Sequence, residues 1–220
     1  MGGYPGSPRT LRGAIVAVDP LSPLSRIVVF QYNPDSVTRT LRPRASSGGA
    51  SGGGAQATDT HRIWGAPQET VTMTVELDAT DGLETGDPLA ASLGVLPQLS
   101  ALEMLLYPSV AQVIVNTGLL LAGTIEVLPP ESPLTVLVWG PGRAVPVMVE
   151  SLTITEQAFD TALTPIRASV ELGVRVLTYS DLPATDPGYA LFLVHQVLKE
   201  TTASIAGVSG AVSATFALGG

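Results

Sequence analysis

Between Ile166 and Leu177 the chain alternates with a period of two. Ile166, Ala168, Val170, Leu172, Val174 and Val176 fall in one phase, and Arg167, Ser169, Glu171 and Arg175 in the other. That period puts the two sets on opposite faces of an extended chain, so the segment reads as a half-buried antiparallel strand. Thr70 to Asp78 repeats the pattern, with Val71, Met73, Val75 and Leu77 facing one way. The segment from Arg143 to about Ala158 begins in one phase with Val145, Val147 and Val149 and ends in the other with Leu152 and Ile154. A phase flip inside a strand is what a β-bulge produces. This long strand and the one after it flank the loop Asp160 to Pro165 and are expected to pair as a hairpin.

Shorter β segments complete the pattern. Gly13 to Asp19 and Ser25 to Tyr32 are rich in β-branched residues and joined across Pro20 to Pro23, which predicts a first hairpin. Asn33 and Pro34 end it, because proline cannot donate to a ladder and asparagine readily bonds its own backbone in a turn. A strand Ser36 to Arg42 follows. Leu134 to Trp139 is apolar nearly throughout, as suits a strand covered on both faces, and Gly140, Pro141 and Gly142 turn the chain. Two helices are expected. Pro97 to Leu106 carries Leu99, Leu102, Leu105 and Leu106 at helical spacing, and Tyr189 to Glu200 forms the second. The fold class is therefore mainly β with flanking helices. Residues 1–180 form the β domain, with a flexible Gly/Ser loop at 45–58, and residues 181–220 a C-terminal helix followed by an uncharged tail of small residues.

Composition removes whole classes of function. The 220 residues include no cysteine, which excludes disulfide scaffolds, thiolate metal sites and cysteine nucleophiles. A pI near 4.6 argues against nonspecific nucleic-acid binding, which draws its energy from a basic surface. Met1 to Pro8 lacks the pattern of a signal peptide. Met104 to Ile125 is uncharged, but Pro108, Gln112, Asn116, Gly118 and Gly123 dilute it, so a membrane span is not expected. The acidic run Asp78, Asp81, Glu84 and Asp87 lacks the alternating ligands of a calcium loop, and the glycines 48–54 lack the flanks of a phosphate loop. Of the two histidines, His61 adjoins the Gly/Ser loop and His195 sits among Phe192, Val194 and Val197, away from any nucleophile turn. No catalytic residue, cofactor or metal is expected. Charge divides unevenly: residues 1–67 carry seven arginines against three acids, and residues 68–220 carry four basic residues against sixteen acids. The two parts either face each other within one fold or meet on neighbouring subunits.

Five blocks, taken in order, resemble one family. They are Phe30, Gln31, Tyr32, Asn33 and Pro34 with Arg39 and Leu41; Val75 to Ala79; Pro97 to Leu99 with Leu102, Glu103 and Leu105 to Pro108; Val138, Trp139 and Gly140; and Ile154 to Glu156 with Phe159, Asp160 and Pro165 to Ala168. Together they are similar to the tube and baseplate-adaptor proteins of phage-tail-like contractile injection systems. The resemblance implies a tube-type antiparallel β-barrel or sandwich with a flanking helix, assembled as a homo-hexameric ring. It implies as partners the inner tube protein, a spike (VgrG-like) protein, baseplate wedge proteins and sheath-associated components, with assembly in the cytoplasm as part of the particle. Related adaptors often carry a LysM module, and Tyr189 to Gly220 is too short for one.

Candidate interface residues are Arg39, Arg42, Arg44, Trp64, Trp139, Arg143, Phe159 and Arg167. The three arginines of residues 39–44 and the adjoining loop are expected to order only against another ring. The alternatives are a tube-terminating cap, a ring of the inner tube itself and, from another class, a small glycan hydrolase built on two carboxylates.

Overall fold

The computed structural model describes residues 12–18, 26–44, 63–108, 110–121, 123 and 133–218; the Gly/Ser loop 45–58, His61 and the first eight residues lie outside them. Seven strands and five helices follow in the order β1 (Ala14–Val18), β2 (Arg26–Val29), β3 (Val37–Arg42), β4 (Gln68–Asp78), α1 (Thr80–Glu84), α2 (Pro88–Leu93), α3 (Leu96–Glu103), α4 (Val110–Leu121), β5 (Leu134–Val138), β6 (Ala144–Phe159), β7 (Pro165–Val176) and α5 (Pro187–Leu218). The strands form one sheet in the order β2-β1-β5-β6-β7-β4-β3. Every neighbouring pair is antiparallel.

The alternation read from the sequence sets the core. Val71, Met73, Val75 and Leu77 of β4 and Ala168, Val170, Leu172, Val174 and Val176 of β7 are all buried. Val95, Leu99, Leu102 and Leu105 in and around α3, together with Phe192 of α5, pack into the same cluster. The bulge in β6 falls at Glu150: Val149 faces Val174, while Ser151 faces Gly173. The tightened crossing leaves no room on β7, since a Cβ on Gly173 would lie 2.2 Å from Ser151 Oγ. Beyond the β6–β7 turn, Gly94 adopts φ 55° and packs so closely that a Cβ would meet the Pro165 carbonyl oxygen at 2.2 Å. Only glycine allows α2 and α3 to lie there.

The segment Phe30–Ser36 joins the two outermost strands of the sheet. Phe30 bonds Gly13 at the head of β1 while the next residue, Gln31, bonds Asp78 at the end of β4, four interstrand steps or roughly 19 Å away in a flat sheet, farther than two adjoining residues reach, so the sheet curls. Two side-chain amides pin the curl. Gln31 Oε1 accepts from the Asp78 backbone N–H at 2.9 Å, and Asn33 Oδ1 accepts from the Gly13 N–H at 3.1 Å. Phe30 fills the space beneath, fully buried, with its own N–H on the Gly13 carbonyl at 2.8 Å.

Several sequence expectations need correction. The sheet is not closed into a barrel, because β2 and β3 share no ladder and the gap is bridged by side chains. Pro34 has no N–H to donate, and β3 starts only at Val37, against Met73 in the middle of β4. Among the described residues there are five helices where two were expected. The acidic run lies in two of them: Asp87 caps α2 by accepting from the Leu89 N–H at 2.9 Å, while Asp78, ahead of α1, accepts from the Thr80 N–H at 2.8 Å in the turn that leads into it. The uncharged stretch after Pro108 forms α4. The tail is helical to Leu218; near its start Thr201, Thr202 and Ser204 return their hydroxyls to carbonyls of the preceding turn.

Candidate functional site

Among the described residues β3 is an edge strand, exposed on both faces, with Leu41 half exposed and no strand on its outer side. β2 is the opposite edge, with Ile27 and Val29 exposed. Strand edges of this kind are docking surfaces unless something blunts them. The candidate interface residues distribute around these margins in three groups.

Arg39 and Arg44 are held from inside the chain. Arg39 reaches Glu69 through Nη2 at 2.5 Å and Nε at 2.6 Å, and Lys199 of α5 meets the other oxygen of the same carboxylate at 3.2 Å. The Glu69 side chain is only 4% exposed. One buried carboxylate thus ties the edge strand and the C-terminal helix to β4. Arg44 donates through Nε to the Ala66 carbonyl at 2.9 Å and through Nη2 to Asp181 at 2.6 Å. Asp181 also accepts from the Thr178 N–H and hydroxyl. Burial alone would raise the Asp181 pKa, but the hydrogen bonds from Arg44 and Thr178 and the Arg44 charge outweigh it and hold it below the ordinary carboxylate value. Arg39 and Arg44 are therefore ordered by their own chain, which corrects the expectation that they order only against another ring. The basic first part and the acidic remainder face each other here within one fold. Arg42 is exposed and makes no ion pair among the described residues. Trp64, about half exposed beside Ile63, lines with Arg44 and Pro67 a surface hollow of about 280 Å³.

Trp139 and Arg143 flank the β5–β6 turn. Their backbones close it, with the Trp139 N–H on the Arg143 carbonyl at 3.1 Å. Arg143 is exposed, whereas Trp139 packs against the core, its ring centre 6.4 Å from that of His195. This tryptophan is a docking surface for α5. His195 is 6% exposed, with Nδ1 3.3 Å from the Gly142 carbonyl oxygen.

Burial lowers the His195 pKa below 6.5; Lys199 and Arg39 add to that, and the Gly142 carbonyl and Glu69 oppose it. A base harder to protonate in the fold than in the unfolded chain gives its full stability above the unfolded pKa and loses it as pH falls toward the folded value. The urea midpoint is accordingly expected to fall between about pH 8 and pH 5, and His195→Leu to flatten that limb. An unchanged slope in the variant would mean that other groups set it.

Phe159 and Arg167 lie at the far end of the β6–β7 hairpin. Phe159 is half exposed opposite Pro165, and Arg167 pairs with Asp78 at 2.7 Å. Asp160 shapes the turn between them by accepting from the Ala162 and Thr164 N–H groups at 2.7 and 2.8 Å. Beside them a crevice of about 630 Å³ runs between Tyr32–Ser36 and the outer face of β4, lined by Glu76, Asp78, Gln157 and Arg167. Sequence reading missed Glu69 and Asp181, the carboxylates on which the arginines depend. The signal for Glu69 was its place in phase with Val71 and Met73, on the buried face of β4.

Among the described residues no group of histidine and carboxylate side chains is placed to hold a metal ion. No helix there is long and apolar enough to cross a membrane. The protein-family models contain no match to this chain, and no curated protein matches it significantly.

Proposed function

We propose that the chain is the ring-forming subunit of a tube-to-baseplate adaptor in a contractile injection system, a structural role in which no bond is made or broken. The observation that carries the reading is the pair of margins on one curled sheet: among the described residues β2 and β3 are its two terminal strands, each with no strand on its outer side, brought round by the segment Phe30–Ser36. Two unlike edges on one subunit are what a head-to-tail contact needs, and such contacts close into rings when the rotation allows. The five sequence blocks support the assignment to this system, and six-fold closure comes from that resemblance. The spike and inner tube would then bind the two faces of the ring.

Electron microscopy of the purified protein tests the reading, with six-fold rings expected. Val29→Lys combined with Leu41→Lys places a charge on each margin and is expected to abolish rings while changing subunit stability by no more than about 0.5 kcal/mol, since both side chains are exposed. A protein that stays monomeric by sedimentation at the highest attainable concentration, with or without tube protein added, would sink the proposal.

A further inference from the structure

β3 covers only the first half of β4. Its ladder spans Gln68 to Met73, while β4 continues to Asp78 against β7. Exposure records the step: Thr70 and Thr72 are half-buried, Thr74 and Glu76 exposed. Along an antiparallel strand successive residues turn their N–H and C=O to opposite sides. The Ala79 N–H donates to the Ile166 carbonyl at 2.9 Å on the β7 side, and the Asp78 N–H donates to Gln31 on the other. Glu76, in phase with Asp78, therefore turns its N–H and C=O away from β7, and among the described residues neither group has a partner there.

The crevice of about 630 Å³ lies over this stretch, walled on its far side by Tyr32–Ser36. From Thr74 to Asp78 it runs about 13 Å, the length of roughly four extended residues. An unpaired strand edge on the floor of a crevice takes an added strand, whose main chain bonds groups that otherwise face water. Charge selects the strand. Asp78 is paired with Arg167 at 2.7 Å. Glu76 accepts from the Ser169 hydroxyl at 2.8 Å, and neither Glu76 nor Asp35 on the opposite wall forms an ion pair among the described residues. A residue opposite Glu76 in an added strand shares its face, with Cβ atoms about 4.5–5.5 Å apart. Lysine or arginine there meets Glu76, with Asp35 across the crevice. The residues on either side of it turn to the other face, where Leu77 lines the crevice and apolar side chains find cover.

We propose that this crevice binds an extended segment of a partner protein by antiparallel strand addition to β4, with a lysine or arginine opposite Glu76 between two apolar residues. The site lies on β4, apart from the margins β2 and β3, so it does not depend on the ring described above.

The probe is the amidated peptide Thr-Val-Lys-Val-Thr, fluorescein-labelled at its N-terminus and added to the full chain. Anisotropy is expected to show saturable binding, and hydrogen exchange at saturation to slow at Thr74–Asp78 while α2 and α3 are unchanged. Methylating the backbone nitrogen of the peptide's lysine removes the donor to the Glu76 carbonyl and is expected to abolish binding. Glu76→Gln, at an exposed position, is expected to keep the parent's melting temperature and to bind about two- to fivefold more weakly, and a peptide with glutamate for lysine to bind about tenfold more weakly. No saturable binding at up to roughly 5 mM peptide, beyond a Kd of about 1 mM, overturns the proposal. So does equal binding of the methylated peptide, which would mean charge attraction alone, or equal binding of the glutamate peptide or by Glu76→Gln. Slowed exchange confined to Val37–Arg42 or Arg26–Val29 places the peptide on a ring margin and also overturns it. Binding at β4 by a protein that forms no rings leaves this proposal standing and the ring reading fallen.

Discussion

Phe30→Ala is expected to cost about 3–5 kcal/mol and to open the gap between the sheet margins. Phe30 is fully buried and lies so close to the start of β1 that a Cβ on Gly13 would come within 2.5 Å of its ring. Truncation leaves a cavity whose neighbours cannot collapse, because Gln31 and Asn33 hold the chain on both sides of the gap. Urea denaturation should show the loss. Hydrogen exchange should show faster exchange at the Asp78 and Gly13 amides, which those two side chains protect. A loss under about 1 kcal/mol, or unchanged exchange at both amides, would mean that the margins are held by something else.

Glu69→Ala is expected to cost about 2–4 kcal/mol. Removing one partner of a buried ion pair costs about 3–5 kcal/mol, and here Arg39 and Lys199 recover part of it by turning to water, being 31% and 40% exposed. The structural consequence is specific: β3 and α5 lose the same anchor, so exchange protection should fall in both while the β6–β7 hairpin keeps its own. Replacing the whole group, as in Glu69→Leu with Arg39→Met and Lys199→Met, should return most of the stability, because no charge is then left without its counterpart. If Glu69→Ala loosened only β3, the link to the helix would be wrong.

The fold was legible wherever side chains alternate under one dominant force. β4, β7 and the bulged β6 follow from apolar period alone, because each has one face in the core and its register cannot slip without exposing that face. Barrel closure was not legible, since whether β2 and β3 pair depends on where Pro34 sends the chain and not on any pattern within either strand. α4 was hidden for a different reason: apolar residues fill most of its circumference, so it reads as a buried or membrane segment rather than a surface helix. The arginines of residues 39–44 stand out in an acidic chain, but the partners of Arg39 and Arg44 lie 30 and 137 residues away in sequence and no local pattern marks them. The tryptophans divide, with Trp139 packed against the core and Trp64 on the surface, a distinction set by α5 folding back over the β5–β6 turn.

The strand order also sets a timetable for synthesis. β1 sits between β2 and β5, so Ala14–Val18 has its second neighbour only after Leu134–Val138 has left the ribosome. At roughly 5–20 residues per second the wait lasts on the order of ten seconds, with the first hairpin already made and its inner flank bare. The β6–β7 hairpin, joined by a short turn, forms locally and late, and the nascent sheet grows outward from it to meet the waiting strand. During that interval the young polypeptide is most exposed to misassembly with its siblings, so cells producing it in bulk should depend on holding chaperones.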